Sequence, residues 1–283
     1  MGDGPVVTLG VVGSVHRYPV KSMLGEELAQ AEVTGRGVTG DRALALLDRE
    51  SGRVASAKQP RLWQGLLGYT ATRTGHGVRI ESPDGKPLLS TDPGADEELS
   101  AGLGRAVTLI DAPPPGAQLL RAVPEEVLAH GSGAEVPVTV SELGRAAPPG
   151  TFFDFAPLHL LTTAALDRIA RLSPRGAVEP ARYRPNVVID TGDAEGFTEN
   201  GWVGRELLIG AELRLKVLVA TPRCAVPTLA HGPLPGDRDA LRVPARHNRV
   251  EPLPGMGPQP CAGVYARVLR PGVIRPGDRV RAD

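Results

Sequence analysis

The sequence is poor in cysteine, carries no net charge and contains no long apolar segment. Its two cysteines, Cys224 and Cys261, are too few for a disulfide scaffold, and their spacing matches no C-x-x-C zinc or dithiol motif. Lysine plus arginine and aspartate plus glutamate both number 32, so the overall charge does not favour nucleic acid or an acidic membrane as a partner. No apolar run approaches membrane-spanning length, and residues 1–15 lack the basic and apolar parts of a signal peptide. We therefore expect a cytoplasmic protein that binds neither nucleic acid nor a membrane.

Several common catalytic motifs are also missing. The six histidines form neither an H-E-x-x-H nor an H-x-x-x-H pattern, so a zinc site of that type has no support. There is no P-loop and no G-x-S-x-G nucleophile elbow. Gly35, Gly37 and Gly40 match the dinucleotide string G-x-G-x-x-G, but the segment after them resembles a strand, whereas such a loop must open a helix. We therefore reject nicotinamide binding.

Short apolar segments separated by turn residues are what the sequence does contain. The 35 glycines and 28 prolines are scattered without a period between runs rich in Val, Leu and Ile, which is typical of many short strands. The predicted strands are Thr8–Tyr18, Glu27–Val33, Ala43–Asp48, Gly77–Glu81, Ala106–Ile110, Asn186–Asp190, Glu206–Ile209, Glu212–Ala220, Gly263–Val268 and Arg279–Arg281. One clear helix is predicted after a cap at Thr162 or Thr163, through AALDRIARL, and a weaker one at Pro124–Ala129. The fold class is therefore mainly β with some α (α+β).

The length and one proline-rich stretch indicate two domains. At 283 residues the chain exceeds the usual size of a single domain. Between Asp111 and Thr151 proline, glycine and alanine are frequent, and no apolar periodicity is sustained. We place the boundary inside this stretch, which gives domains at residues 1–125 and 126–283.

Cys224 is the residue whose chemistry the sequence leaves most open. It follows the apolar run LRLKVLVA in the segment TPRC, at a predicted strand end, and the adjacent Arg223 favours the thiolate that attacks or binds metal. Free cysteines are also among the most buried residues, and from position alone a structural cysteine is the favoured interpretation. Cys261, at a predicted strand start, is interpreted as structural.

Basic and amide side chains recur beside predicted turns. Lysine, serine, arginine and asparagine in such places can hold a phosphate through charge-assisted hydrogen bonds and can pair with a planar heterocycle. The residues of this kind are Lys21, Ser22, Arg42, Lys58, Gln59, Arg182, Arg184 and Asn186. Each alone is also compatible with ordinary solvated surface, but together they favour a small anionic ligand.

Several segments of both halves resemble one known family in their order and spacing. The N-terminal half contains YPVKSMLGEEL, GRGVTGDRALALLD and VASAKQPRLW, and the C-terminal half contains FFDFAPLHLLTTAAL, RYRPNVVID, ATPRC and GVYARVLRPGVIRPGDRV. These segments resemble the MOSC domain proteins, named after the C-terminal domain of molybdenum cofactor sulfurase, with their N-terminal β-barrel partner. The resemblance implies an N-terminal β-barrel domain and a MOSC β-barrel domain that carries the Thr162 helix.

The resemblance also implies a molybdenum cofactor (Mo-molybdopterin) and the residues that hold it. Cys224 occupies the position of the family's cysteine, which in members of the amidoxime-reducing type is a protein ligand of the metal. It would therefore be both the catalytic and the metal-binding residue. The cofactor-binding residues implied by the same resemblance are Lys21, Ser22 and Arg42 from the first domain and Thr162, Arg184, Asn186 and Arg223 from the second.

Three functions are compatible with that assignment. The first is a molybdenum-dependent oxidoreductase that reduces an N-hydroxylated or other N-oxygenated small molecule by two electrons. Two cysteines cannot hold an iron–sulfur cluster, so electrons would come from a separate donor protein of the ferredoxin or flavoprotein type. The second is a sulfur carrier that uses a Cys224 persulfide, and the third is a non-catalytic carrier of the cofactor.

Overall fold

The computed structural model describes residues 7–282, which are mostly β with five α-helices. The strands are β1 Val7–Arg17, β2 Glu26–Glu27, β3 Ala31–Thr34, β4 Gly37–Val38, β5 Ala45–Asp48, β6 Thr70–Thr74, β7 Gly77–Glu81, β8 Pro87–Leu89, β9 Val107–Ile110, β10 Gln118–Ala122, β11 Val138–Glu142, β12 Leu158–Thr162, β13 Val187–Asp190, β14 Glu206–Ile209, β15 Leu213–Pro222, β16 Arg249–Val250, β17 Gln259–Arg270, β18 Gly272–Ile274 and β19 Arg279–Ala282. The helices are α1 Pro60–Trp63, α2 Ala95–Leu103, α3 Pro124–His130, α4 Thr163–Leu172 and α5 Asp239–His247. The predicted α+β fold class is confirmed. Within residues 7–282, no helix combines the length and apolar character needed to cross a membrane.

Seven strands form a closed barrel in the order β12, β13, β1, β19, β14, β15 and β17, and β17 pairs with β12 again. Leu160 on β12 lies at the closure, since it has a parallel partner in Val187 and an antiparallel partner in Val264. Along β15, Leu215 and Val217 are buried and alternate with more exposed residues, as expected when one face points into the barrel. Closure leaves these seven strands without a free edge.

Strand β1 belongs to this barrel although it opens the described chain. It pairs with β13 on one side and with the last strand, β19, on the other. Strand β3 likewise pairs with β18, near the C-terminal end of the chain. Residues from both ends of the sequence therefore complete one barrel core. The division between residues 125 and 126 stays a prediction.

A second apolar core is formed mainly by the region between β4 and β10, together with Val20 and Met23 after β1. It is built on the pair β5–β9, the sheet β6–β7–β8 and helix α2, and its buried members include Met23, Leu46, Trp63 and Ile80. The stretch between Asp111 and Thr151, in which we place the boundary, contains β10, α3 and β11, and β10 pairs with β11 in five consecutive residue pairs. The two strands were not predicted, and Val138 and Val140 of β11 are exposed and give no alternation of buried and polar positions.

Helix α4 begins as its capping signal predicted. The Thr162 hydroxyl accepts a hydrogen bond from the Ala165 amide at 3.1 Å, which satisfies one of the free amides of the first turn. Leu166 and Ile169 face the interior and pack with residues of α5 and β13 in a third apolar cluster. The weaker predicted helix is also present as α3. These helices cover the side of the barrel next to the site described below.

Candidate functional site

A cleft between the barrel and the second core gathers most of the residues selected from the sequence. It encloses about 680 Å³ of empty space, part of it open to solvent. The resemblance implied eight residues that bind the cofactor or its metal. Seven of them line the cleft, namely Lys21, Ser22, Arg42, Arg184, Asn186, Arg223 and Cys224. Thr162 does not line it. Residues from widely separated parts of the sequence thus meet in one place.

Asp154 holds two lysines at one wall of the cleft. Its Oδ1 atom lies 2.6 Å from Lys21 Nζ and 3.1 Å from Lys58 Nζ. Lys21 is almost fully buried and also donates to the Phe152 carbonyl oxygen at 2.9 Å. Burial lowers the pKa of Lys21 to about 8, although Asp154 opposes that shift. Burial would raise the pKa of Asp154, but the two ammonium groups outweigh it and hold that pKa well below its usual value.

Asp41 organises a second group of contacts behind the cleft. Its carboxylate accepts hydrogen bonds from the Tyr18 amide at 2.7 Å and from Asn186 Nδ2 at 2.8 Å, and it forms an ion pair with Arg42. The Asn186 Oδ1 atom accepts from the His159 amide at 3.1 Å. Because the Asn186 side chain is committed to these partners and is 1% exposed, its role is to hold the surrounding strands in place.

The Tyr18 ring contacts two guanidinium groups. Arg42 Cζ lies 4.5 Å and Arg184 Cζ 4.4 Å from the ring centroid, close enough for cation–π contacts. Arg184 also donates to the Met23 carbonyl oxygen and has no carboxylate within ion-pair distance in the described chain. Burial and the nearby charge of Arg42 lower the pKa of Arg184 to about 10. Arg184 is therefore a charged group that still lacks an anionic partner.

Arg223 is held at the opposite side of the cleft. Its Nη2 donates to the Tyr183 carbonyl oxygen at 3.1 Å, and its Nη1 lies 3.4 Å from His159 Nε2. The Nε of Arg223 is buried without a hydrogen-bond partner. Burial, with the charge of Arg223, lowers the pKa of His159 to about 3, so this histidine is neutral at physiological pH. Arg223 thus presents a guanidinium that is only partly satisfied by protein groups.

Backbone conformation also marks this cleft. Ser22, Arg42 and Arg184 have φ values of 66°, 46° and 54°, in the left-handed region that residues with a Cβ rarely adopt. They are the three non-glycine residues with positive φ in the part of the chain that the structure describes, and all three line the cleft. Since such conformations are unfavourable by about 1 kcal/mol or more each, their concentration at one place indicates a functional constraint.

Cys224 lies at the cleft just beyond the end of β15, and its side chain is 8% exposed. It packs in a small apolar cluster with Ala57, Leu67, Val226 and Leu229. The thiol therefore lines the cleft from an apolar setting, two residues after the barrel strand ends. This combination fits both a structural thiol and a soft metal ligand.

Cys261 is more deeply buried than Cys224. It is fully buried within β17, opposite Pro222 of β15, and it does not line the cleft. Burial raises the pKa of its thiol to about 11. These properties agree with the structural role predicted for it.

Thr162 is the selected residue that lies away from the cleft. Besides capping α4, its hydroxyl donates to Glu199 Oε2 at 2.6 Å. Glu199 is fully buried and also accepts from the Gly263 amide at 2.9 Å. Burial raises the pKa of Glu199 above its usual value. The Thr162 hydroxyl therefore both accepts a hydrogen bond from the Ala165 amide and donates one to Glu199, and it supports the helix and the strands around it.

Asp154 and His159 were missed as site residues, and Lys58 was noted among basic residues without being assigned a role. Asp154 sits in FFDFAP, where a lone carboxylate between aromatic residues was the available signal. His159 is buried and its ring lines the cleft beside Arg223. Neither role could be assigned before the segments around residue 20 and residue 155 were known to meet.

The charge balance of the cleft suits an anionic ligand. The cationic side chains that line it are Lys21, Arg42, Lys58, Arg184 and Arg223. Asp154 is the carboxylate among the described lining residues, and Asp41 lies behind Arg42. The cations outnumber the carboxylates, and the unpartnered Nε of Arg223 provides a free donor. Within residues 7–282, no three His, Cys, Asp or Glu side chains are grouped to hold a metal by themselves. The donor set therefore fits an anionic ligand.

Comparison with known proteins agrees with this arrangement. The chain matches the family model of the MOSC domain over residues 147–281 and that of the MOSC N-terminal beta barrel domain over residues 9–100. It is similar to human mitochondrial amidoxime-reducing component 1, with 26% identity over 289 residues, 96% of this chain and 82% of the relative. It is also similar to mitochondrial amidoxime reducing component 2 of Macaca fascicularis, with 28% identity over 305 residues, 96% of this chain and 83% of the relative.

Among solved structures, the YUAD protein from Bacillus subtilis aligns with 98% of this chain and 96% of its own, with a TM-score of 0.46 and 11% sequence identity. The two family matches together extend from the first barrel strand to the last. The chain therefore belongs to the MOSC domain family and carries the family's N-terminal beta barrel domain.

Proposed function

We propose that this protein binds a molybdenum cofactor in the cleft, with Cys224 as the protein ligand of the metal. We further propose that it reduces N-hydroxylated or other N-oxygenated small molecules by two electrons supplied by a separate donor protein of the ferredoxin or flavoprotein type. One observation carries the proposal: the Cys224 thiol lines the same cleft as two arginines, Arg184 and Arg223, that have no carboxylate partner in the described chain. The similarity to amidoxime-reducing components supports the reaction class.

The cationic side chains would hold the anionic part of the cofactor. Arg184 and Arg223 are the strongest candidates, because neither has a carboxylate partner in the described chain and both line the cleft. Lys21 and Arg42 are already ion-paired, so they would contribute charge and position more than new contacts. The unusual backbone at Ser22 places its hydroxyl at the same wall, where it accepts from the Ala57 amide at 3.1 Å.

Cys224 would complete the metal site. A thiolate is a soft ligand, which suits a metal that is otherwise bound by the sulfur atoms of its cofactor. The bound cofactor would supply the two-electron chemistry by which an N–OH group, with two electrons and two protons, becomes N–H and water. The apolar neighbours Ala57 and Leu67 would keep water away from the thiol. Lys21 Nζ, with a pKa of about 8, would carry a proton at the wall of the cleft at neutral pH.

Metal analysis tests the cofactor assignment. The protein is produced in a host that makes the cofactor and receives molybdate, and molybdenum is measured per mole of folded protein. We expect near-stoichiometric molybdenum in the wild type and in Cys261→Ala, and a strong reduction in Cys224→Ala. Cys261→Ala is the matched control, since it also removes a thiol but not one that lines the cleft. A wild type free of molybdenum, or equal loading of both variants, would contradict the assignment.

Turnover then separates an enzyme from a carrier. With a chemical reductant such as reduced viologen, the loaded protein should convert benzamidoxime to benzamidine. Loaded protein that is inactive towards a panel of amidoximes, hydroxylamines and N-oxides would favour cofactor carriage. An additional sulfur atom on Cys224 after incubation with a cysteine desulfurase, seen by mass spectrometry in protein without molybdenum, would instead favour sulfur transfer.

A further inference from the structure

A second cavity adjoins the cleft. It encloses about 1340 Å³ of empty space, part of it open to solvent, between the β10–β11 hairpin and the loop before β17. Lys58, Asp154 and Tyr265 line both the cleft and this cavity, so the two spaces share a wall. Pro222, the last residue of β15, also lines the cavity and lies two residues before Cys224. A molecule in the cavity would therefore adjoin the cleft through this shared wall.

Apolar side chains form much of the cavity wall. They come from five separate parts of the chain, namely Leu119, Val140, Phe155, Val219, Leu253 and Met256. Two of them are exposed large hydrophobic residues, Val140 at 53% and Met256 at 43%. Exposed apolar side chains on opposite walls of a cavity are available to cover the apolar body of a small molecule.

Two arginines add positive charge to these walls. Arg121 on β10 is half-buried and donates through Nη2 to the Arg223 carbonyl oxygen at 3.3 Å, which leaves its other donors available. Arg145 is exposed and makes neither an ion pair nor a side-chain hydrogen bond within the described part of the chain. Glu142 also lines the cavity, whereas Asp154 is already paired with Lys58 and Lys21. The local balance is therefore positive beside an apolar surface.

We propose that this cavity is the substrate subsite and that it selects molecules with an aromatic or aliphatic body and a carboxylate at the end remote from the reacting N–O group. The apolar walls would bury the body, and Arg145 and Arg121 would bind the carboxylate. This inference rests on the proposed function for the identity of the reacting group. The ligand class itself follows from the cavity alone.

Tyr265 and the charge of the product are consistent with this use. Tyr265 lies on the shared wall, and burial raises its pKa to about 12, so its phenol keeps a proton at neutral pH and can donate to an oxygen of a bound molecule.

Reduction of an amidoxime gives an amidine, which is a cation at neutral pH. The positive walls would hold a neutral N–OH group more readily than this cationic product, and so favour its release.

Binding of small probes tests the ligand class without turnover. The full-length protein is titrated by calorimetry with 4-phenylbutyrate and with its neutral analogue 4-phenylbutanamide. We expect the carboxylate to bind about fivefold more tightly than the amide at low salt, since a partly exposed ion pair contributes up to about 1 kcal/mol. The preference should shrink as salt is added. Equal affinity of the two probes at low salt would overturn the proposal.

Matched variants test whether this cavity causes the preference for the carboxylate probe. Arg145→Gln should reduce it and the double variant Arg121→Gln/Arg145→Gln should abolish it, whereas Arg168→Gln, on the exposed face of α4, should leave it unchanged. Val140→Ser should weaken both probes equally, and Val273→Ser, a strand valine that is 46% exposed elsewhere, should weaken neither. Because neither Arg121 nor Arg145 lines the cleft, a preference that survives in the double variant would place the anion outside this cavity and refute the subsite.

The two proposals fail in different ways. If the probes behave as expected but no N-oxygenated compound is reduced, the subsite stands and the reaction class falls. If benzamidoxime and 4-carboxybenzamidoxime are both reduced with the same KM, the reaction stands and the subsite's selectivity falls. We expect 4-carboxybenzamidoxime to have the lower KM, by about fivefold, with little change in kcat, because the arginines contact the end of the molecule that does not react.

Discussion

Lys21 Nζ and Asp154 Oδ1 lie 2.6 Å apart although 133 residues separate them in the sequence. Lys58 Nζ shares the same carboxylate at 3.1 Å. One acidic side chain therefore ties together the turn after β1, the loop before α1 and the segment before β12. This junction fixes one wall of the cleft, and it is the point at which the two halves of the sequence depend most directly on each other.

Asp154→Asn should destabilise the protein, because it leaves two lysines at a buried wall without a counter-charge. We expect the free energy of unfolding to fall by about 1–3 kcal/mol, less than for a fully buried pair since the Asp154 side chain is 31% exposed. The measurement is guanidinium unfolding at pH 7. Asp84→Asn, which removes an exposed pair with Lys86, is the control and should have a much smaller effect on stability. Equal effects of the two variants would refute a structural role for this junction.

The depressed pKa of Lys21 predicts a pH dependence. Its pKa of about 8 in the folded protein lies below the ordinary 10.5, so between these values the unfolded chain binds more protons. The contribution of Lys21 to stability therefore rises with pH through this window. Unfolding free energies measured at pH 7.5 and pH 10 should show a larger increase, or a smaller decrease, for the wild type than for Lys21→Met. Parallel behaviour of the two proteins would mean that Lys21 is not desolvated.

Local sequence signals were sufficient for much of the fold. The alternation in Glu212–Ala220 and the capping hydroxyl before AALDRIARL predicted β15 and α4, because each depends on neighbours within a few residues. The barrel closure was not predictable in this way. The pairing of β1 with β19 joins residues more than 260 positions apart, and nothing local in either strand specifies its partner.

The candidate site, like the fold, was predictable only where the signal lies in the local sequence. Residue types near turns selected Lys21, Arg42 and Arg184, and the resemblance supplied Arg223; all four line one cleft. The resemblance also supplied Thr162, whose hydroxyl is used by α4 and Glu199 instead. Asp154 could not be selected, since its significance lies in contacts with lysines about 100 residues or more away. Whether each lining residue binds a cofactor stays a prediction.

Thr162 should prove more important for stability than for cofactor binding. Thr162→Val removes the cap of α4 and leaves buried Glu199 without its hydroxyl donor, so we expect a loss of about 1–3 kcal/mol in the free energy of unfolding. Thr162→Ser keeps the hydroxyl and should recover most of that loss. Molybdenum per mole of folded Thr162→Val should match the wild type. A variant that loses metal while its stability is unchanged would instead support a direct role in binding.

Asn186→Asp should introduce a repulsion at the Asp41 junction. The Asn186 Nδ2 atom donates to Asp41 Oδ2 at 2.8 Å, and both residues are almost fully buried. Two carboxylates at this distance raise the pKa of one of them, so the variant should be destabilised by about 3 kcal/mol at pH 8 and by less at pH 5, where a proton can be shared. Unfolding free energies at both pH values provide the measurement.

The double variant Asn186→Asp/Asp41→Asn is the control for that repulsion. It keeps one carboxylate and one amide in the pair, so it should be more stable than the sum of the two single losses implies. Strictly additive losses would show that the two side chains do not interact. A variant Asn186→Asp with no greater loss at pH 8 than at pH 5 would lead to the same conclusion.

The two cysteines should differ sharply in reactivity towards iodoacetamide. Cys224 lines the cleft and is 8% exposed, whereas Cys261 is fully buried with a pKa of about 11. At pH 8 only about one Cys261 in a thousand would be a thiolate even if the reagent reached it. Peptide mass spectrometry of briefly treated protein should therefore find the label on Cys224. Cys261→Ala should react at the wild-type rate, and Cys224→Ala only as fast as the protein opens. Preferential labelling of Cys261 would refute the geometry on which the metal site depends. The test does not require a bound cofactor, because the reaction reports access to the thiol rather than turnover.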